Sequence, residues 1–456
     1  MKDIGLYLGP AAAGLTGFLL YQWGWQPGAC WTGAVTVLCA VWWILEPIPI
    51  PVTSMIPLTL FTMTGVLTPG EVGESYGSPL VLLLMGGFIL STAMAKSGAH
   101  RRIALNMVSL FGHRGPKGVV FGFMAASAVL SMWISNTATT LMLLPIVLAV
   151  LEQTDDKRFG LAMLLGIAYA ASVGGIGTPI GTPPNVIFMR IYAEATGSEL
   201  SFLDWMKLGL PVVIVFVPII GLWLTRNLET TGQLELPEVG RWRTEEVRTL
   251  GVFALTALAW VTRKEPFGGW STLLGLEAAN DASVALAAVV VMFLVPNGHG
   301  QRLLDWKTAE KIPWGILILF GGGIAIAKAF VNSGLSAALG ELLAGFTAMP
   351  LVVLIALICL SVTFLTEVTS NTATTVLLMP ILAAAAVSAG LEPMLLMVPA
   401  AMSASCAFML PVATAPNAIV FGTGRFTVRT MVREGFALNL IGMTVITSVC
   451  YVLLAR

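Results

Sequence analysis

Two apolar stretches, 119–151 and 351–387, constrain this chain more than any other feature. A membrane helix needs about 20 consecutive apolar residues. Each stretch is too long for one crossing and too short for two. Each is also broken near its middle by the same polar hexapeptide, Ser-Asn-Thr-Ala-Thr-Thr, at 135–140 and again at 370–375. A helical hairpin that enters, turns at mid-membrane and leaves on the side it came from fits the length. Such a turn is tolerated only where protein or water satisfies its backbone groups.

Composition supports a bilayer setting. Of 456 residues, 57% are hydrophobic and 11% charged, against about 25% charged in soluble chains. One buried core cannot absorb that much apolar surface, because domains stop growing near 250–300 residues. Apolar spans fall near 6–21, 29–46, 51–67, 79–96, 160–194 (interrupted), 206–225, 250–262, 282–295, 313–331, 394–424 (interrupted) and 436–455. The fold expected is an all-α polytopic membrane protein, with about 11 transmembrane helices and two re-entrant hairpins. Net charge is zero, so no basic face for nucleic acid exists. Cys30, Cys39, Cys359, Cys406 and Cys450 lie in apolar segments without a CxxC pair and read as small buried hydrophobes. His100, His113 and His299 sit in polar connections, which gives a metal enzyme no support. Met1-Lys2-Asp3 runs into an apolar stretch without an Ala-x-Ala site, so a first membrane helix is expected there rather than a signal peptide.

Loop charges set a topology. Lys96, Arg101, Arg102, Arg114 and Lys117 precede the first hairpin, and Lys157 and Arg158 follow it. Basic flanks belong in the cytoplasm. Around the second hairpin the only charges are Glu341 and Glu392, which read as outside. With eleven spans and a cytoplasmic N-terminus, the connections 226–248, 302–311 and 425–433 also land in the cytoplasm, and the C-terminus lands outside. The exception is Arg263-Lys264, in a short outside connection balanced by Glu265. The absence of any Asn-x-Ser/Thr acceptor is consistent with a bacterial inner membrane.

The hexapeptide is part of a larger repeat. Pro145 and Pro380 keep its offset of 235; MGGFILSTAMAKSG (85–98) matches FGGGIAIAKAFVNSG (320–334), and GTPIGTPPNVIF (177–188) matches LPVATAPNAIVF (410–421). The chain reads as one transmembrane domain with halves 1–227 and 228–456. The first hairpin opens inward and the second outward, so the halves are expected to be inverted, with a site at the midplane. Gly86-Gly87 and Gly321-Gly322-Gly323 read as close helix packing. Two identical polar knots are harder to explain by packing, because Ser, Asn and Thr cost free energy in hydrocarbon unless paired.

Each half offers two broken pieces of backbone, the hairpin tip and the Pro/Gly-rich interruption at 177–185 or 410–417. Proline stops a helix there. Freed carbonyls and hydroxyls suit a hard cation, and freed amides at helix N-termini suit an anion. The first knot holds no charged residue, so a multiply charged anion bound there needs other compensation, which co-bound cations and helix N-termini can supply. These residue types suggest cation-coupled anion uptake without naming either species. Glu367, three residues before the second knot, is either a proton site or a helix-end acid with a polar partner. Glu46 reads as interfacial.

The two SNT triplets (Ser135-Asn136-Thr137 and Ser370-Asn371-Thr372), WILEPIPIPVTS (43–54), GTPPN (181–185) and FMLPVATAPNAIVF (408–421) resemble the divalent anion/sodium symporter family, carriers of succinate, malate, fumarate and citrate. The resemblance runs over nearly the whole chain. It implies one sodium ion around Ser131, Ser135, Asn136 and Gly181, and a second around Thr366, Thr369, Asn371 and Ala413. Side-chain identity at Gly181 and Ala413 should matter little, because backbone carbonyls would do much of that work. It implies carboxylate contacts at Asn136, Thr137, Thr182, Asn371, Thr372 and Thr414, with Ser135 and Ser370 opening the triplets. Ala415 stands where the family pattern has proline, which puts that substrate contact in question. A homodimer, an elevator movement, co-transported sodium and no organic cofactor are implied. The function expected is sodium-coupled import of C4-dicarboxylates or related di- and tricarboxylates. Rivals are a sulfate or arsenite carrier, a sodium/proton antiporter, a channel and an intramembrane enzyme. For the enzyme, no nucleophile–base pair, metal cluster or GxGD acid pair is present.

Overall fold

The computed structural model describes residues 2–112, 115–228, 240–264, 269–335, 338 and 349–455. His113, Arg114, Glu265 and Glu341, used above, lie outside the described residues. Within them the chain is helical, with one isolated bridge between Pro296 and Arg302 and no strand. Among the described residues, eight helices are long and apolar enough to cross a membrane, and six shorter apolar ones accompany them. The chain is a polytopic membrane protein.

Both expected hairpins are present. The first pairs Gly115–Ser131 with Asn136–Leu151; the second pairs Leu351–Thr366 with Asn371–Ser388. Three of the four arms are shorter than a full span. At about 1.5 Å per residue, an arm of 16 or 17 residues reaches only part of a bilayer with its headgroups. The hexapeptide is itself a helix start. Ser135 and Ser370 are N-caps, accepting from Ala138 N (3.3 Å) and Ala373 N (3.5 Å). Thr140 and Thr375 donate back to the carbonyls of Asn136 (2.9 Å) and Asn371 (2.7 Å). The serine and the last threonine of each SNTATT are therefore spent on the helix end, whereas Asn136, Thr137, Asn371 and Thr372 line a cavity.

The interrupted spans break where proline and glycine require it. Lys157–Gly174 passes through a short 3₁₀ turn at Gly175–Gly177 and resumes as Pro183–Thr196; Met394–Ala404 resumes as Ala415–Phe421. One asparagine seals each break. Asn185 Nδ2 donates to the carbonyls ten and seven residues back, Gly175 (2.9 Å) and Thr178 (2.7 Å). Asn417 Nδ2 does the same to Ala407 (2.9 Å) and Leu410 (3.1 Å). Identical bonds at identical spacing carry the duplication from sequence into geometry.

Helices sort into two groups. The hairpins and broken spans pack on one another and on Phe202–Leu224 and Val428–Leu454. The second group comprises Pro27–Leu45, Ile50–Thr53, Ile56–Met63, Pro79–Ser97, Thr244–Val261, Asp281–Leu294 and Trp314–Asn332. Its glycines allow close approach, as expected: a Cβ on Gly86 would lie 2.7 Å from Ala285 Cβ, and one on Gly322 would lie 2.5 Å from the Ser54 carbonyl.

Two loop readings change. The connection 96–117 contains a helix, Ala99–Gly112. Its Arg102 is not a free loop charge but is buried, with Nε 2.7 Å from Glu246 and its other nitrogens on the carbonyls of Gly240 and Arg241. Arg263, the exception to the charge rule, is likewise buried and bound to Asp281 at 2.6 Å. Asp281 also accepts from Phe202 N at 2.8 Å. A paired guanidinium no longer acts as a free loop charge, and this holds for Arg102 in a basic flank as much as for Arg263. Asp281→Ala should lower stability by about 3 kcal/mol, because it strands a buried charge; thermal melting of the purified protein in detergent checks this.

Candidate binding site between the two hairpin tips

A cavity of about 800 Å³ lies between the two helix groups. One wall carries Ser135, Asn136 and Thr137 of the first tip with Gly181 and Thr182 of the first break. Another carries Thr369, Ser370, Asn371 and Thr372 with Ala413, Thr414 and Ala415 of the second break. Trp43, Phe88, Pro313 and Ile316 face them from the second helix group. Twelve of the fourteen residues selected from sequence thus share one space. The other two, Ser131 and Thr366, are buried behind it. No lysine or arginine lines the cavity among the described residues. The helices beginning at Asn136 and Asn371 start at this wall, so their N-terminal ends supply partial positive charge instead.

The first tip and break form a crowded oxygen cluster. Ser131 Oγ donates to Asn136 Oδ1 at 2.6 Å. A Cβ built on Gly175 would lie 2.7 Å from Asn136 Oδ1 and 3.1 Å from the Gly181 carbonyl. One built on Gly181 would lie 2.5 Å from the Gly175 carbonyl and 2.9 Å from that of Ser131. The expectation that side-chain identity at Gly181 matters little is therefore wrong: only glycine lets these carbonyls converge. Ala413 tolerates its methyl at the matching place. If the first break holds sodium as the resemblance implies, Gly181→Ala should weaken sodium-dependent binding roughly tenfold or more, from an overpacking cost of about 1–3 kcal/mol, whereas Ala413→Gly should stay within about threefold. A sodium titration of substrate binding reads both. Thr182 Oγ1 is buried with no partner among the described residues, leaving it available to a ligand.

The second tip is arranged differently. Thr366 Oγ1 donates to the Ala404 carbonyl (3.0 Å) instead of meeting Asn371. Asn371 Oδ1 takes the adjacent Thr372 N at 2.9 Å. Thr369 is bonded to Thr374 at 2.6 Å, and Thr414 Oγ1 caps its helix through Asn417 N at 3.3 Å. Ala415 lines the cavity with only a methyl to offer.

Glu367 has the structural role of the two considered. It is 3% exposed and accepts from Phe408 N (2.7 Å), Met409 N (2.9 Å), Leu410 N (3.0 Å) and Asn439 Nδ2 (2.8 Å). It ties the second tip to the second break. Tyr169, from the first half, donates to the Phe408 carbonyl at 2.6 Å and joins the two halves at that point. Trp205 Nε1 similarly holds the first break through the Ile176 carbonyl at 2.8 Å. Sequence reasoning missed Tyr169, Trp205, Asn439 and the two sealing asparagines. Only the Pro-Asn pair recurring in both breaks could have pointed to Asn185 and Asn417.

Duplicated tips and breaks that open on one cavity lined by no lysine or arginine among the described residues, inside a polytopic helical chain, define a membrane transporter. A family model described as the sodium:sulfate symporter transmembrane region matches residues 12–454, and the chain belongs to that family. It is 40% identical to the sodium-dependent dicarboxylate transporter SdcS of Staphylococcus saprophyticus, over 99% of this chain and 91% of that one. Against SdcS of Staphylococcus aureus the identity is 38%, over 98% and 90%. A solved structure, the YdaH transporter of Alcanivorax borkumensis, shares the fold with a TM-score of 0.60 at 12% identity, covering 87% of this chain and 88% of that one.

Proposed function

We propose that the protein is a secondary active symporter that imports C4-dicarboxylates, such as succinate, malate or fumarate, together with sodium ions. The observation that carries this is the pairing of two SNT tips on one cavity without a lysine or arginine. A two-ended anion spans two tips. Sodium at each tip replaces the missing cationic side chains, at Ser131, Ser135, Asn136 and Gly181 on one side and at Thr366, Thr369, Asn371 and Ala413 on the other. Carboxylate oxygens would meet Asn136, Thr137 and Thr182 at one end and Asn371, Thr372 and Thr414 at the other, with Ser135 and Ser370 beside them and Ala415 a van der Waals neighbour. The names of the relatives favour dicarboxylate over the sulfate of the family description.

Import of excess positive charge is driven by the membrane potential, by about 2.3 kcal/mol per charge per 100 mV. The separation into two helix groups supports an elevator movement, in which hairpins and broken spans travel as a unit along the other group. In this reading the halves are inverted, the protein is a homodimer of the inner membrane, its N-terminus is cytoplasmic and its C-terminus outside. Uptake of labelled succinate into proteoliposomes tests the function, with sulfate and arsenite as competitors. Sodium-driven, saturable succinate uptake is expected; sulfate uptake without succinate uptake would reassign the substrate.

A further inference from the structure

Glu46 is the one charged side chain among the described residues that line the cavity, and it is negative. That sign is the wrong one for holding an anion. The residue is exposed, and its carboxylate makes no hydrogen bond or ion pair with the described residues. Its backbone is unusual as well. With φ 45° and ψ 50° it is the only non-glycine residue described in the left-handed region. It ends the helix Pro27–Leu45 where glycine or asparagine is the usual choice. The helix end is held firmly: Glu46 N donates to the Trp42 carbonyl (3.0 Å), Trp42 Nε1 to the Gly5 carbonyl (2.9 Å) and Trp43 Nε1 to Ser54 Oγ (3.0 Å). Strain retained at a wall of the binding cavity, in a residue that glycine could replace without strain, calls for a role of the side chain.

We propose that Glu46 sets the cation dependence of binding. Its fixed charge concentrates sodium in the cavity and disfavours the bare anion, so that the anion is held well only after cations occupy the tips. Focusing by a charged wall of a cleft supplies the effect without direct coordination. The cavity's opposite wall carries the tips, and Glu46 belongs to the helix group that faces them, so the charge acts from outside the site. This inference rests on the sodium–dicarboxylate reading above.

The test is a sodium titration of labelled succinate binding to the full-length protein purified in detergent. Glu46→Asn removes the charge and keeps a residue that tolerates the left-handed conformation. Glu46→Asp keeps the charge. Half-saturating sodium should rise roughly three- to fivefold in Glu46→Asn, the scale of one solvated charge acting across a cavity, and stay near native in Glu46→Asp. Choline chloride should narrow the gap, because salt screens exposed charges beyond about 8 Å at 0.15 M. Succinate affinity at saturating sodium should be equal or higher in Glu46→Asn. Should that variant not be recovered folded, Glu46→Gln gives the same readout. Native half-saturation in the neutral variants, or an equal rise in Glu46→Asp, overturns the proposal while leaving the functional reading intact. Native protein that binds no succinate at any sodium concentration overturns both.

Discussion

Asn136→Ala should abolish sodium-dependent succinate binding and leave the protein folded. The side chain lines the cavity, and its Oδ1 lies at the meeting point of Ser131 Oγ and the crowded carbonyls of the first break. Alanine removes an oxygen that a cation would otherwise use. One hydrogen bond to a charged partner is worth about 1.5–3 kcal/mol, or roughly 10- to 150-fold. Loss of a sodium ion also removes the charge that permits the dicarboxylate to bind, so the two losses compound. Folding should survive for a separate reason. Asn136 is half-buried in a first helical turn whose cap is the side chain of Ser135, and alanine is the better helix former. Asn371→Ala should behave alike, since its Oδ1 meets only the adjacent Thr372. Binding with and without sodium, beside a melting curve, separates the two effects. Normal binding in both variants would remove the site assignment altogether.

The largest stability effect should come from Glu367→Ala. Four donors converge on this carboxylate, three of them backbone amides of 408–410 that have no other acceptor among the described residues. Removing it leaves buried donors unpaired and detaches the second break from the second tip. Breaking a buried charged network by deleting one partner costs about 3–5 kcal/mol, a large share of the 5–15 kcal/mol that typically holds a protein folded. A fall in melting temperature and poor recovery from the membrane are expected. Glu367→Gln keeps one acceptor oxygen and should lose less. A melting temperature equal to native in Glu367→Ala would return the residue to the proton-site reading.

Much of the architecture was legible because the bilayer imposes few choices. Length and polarity alone located both hairpins, and proline with glycine located both breaks. The candidate site came from the resemblance carried by the repeated motifs, and twelve of its residues share one cavity. What escaped the sequence was pairing at a distance. Arg102 with Glu246 and Arg263 with Asp281 are 144 and 18 residues apart, and no local pattern announces them. Gly181 escaped because its role depends on the Gly175 and Ser131 carbonyls that fold against it. The difference between the tips escaped because identical hexapeptides meet different neighbours: Thr366 finds the Ala404 carbonyl where Ser131 finds Asn136.

The bond from Tyr169 to the Phe408 carbonyl has a kinetic consequence. It fastens the helix that leads into the first break, Lys157–Gly174, to the second break, and Glu367 fastens that second break to its tip. A pocket stitched in this way resists deformation while loaded. In the proposed elevator movement, its cargo would change sides of the membrane without exchanging a single ligand. The rate of turnover would be decided by friction along the boundary between the two helix groups, and substitutions there should alter speed while leaving affinity untouched.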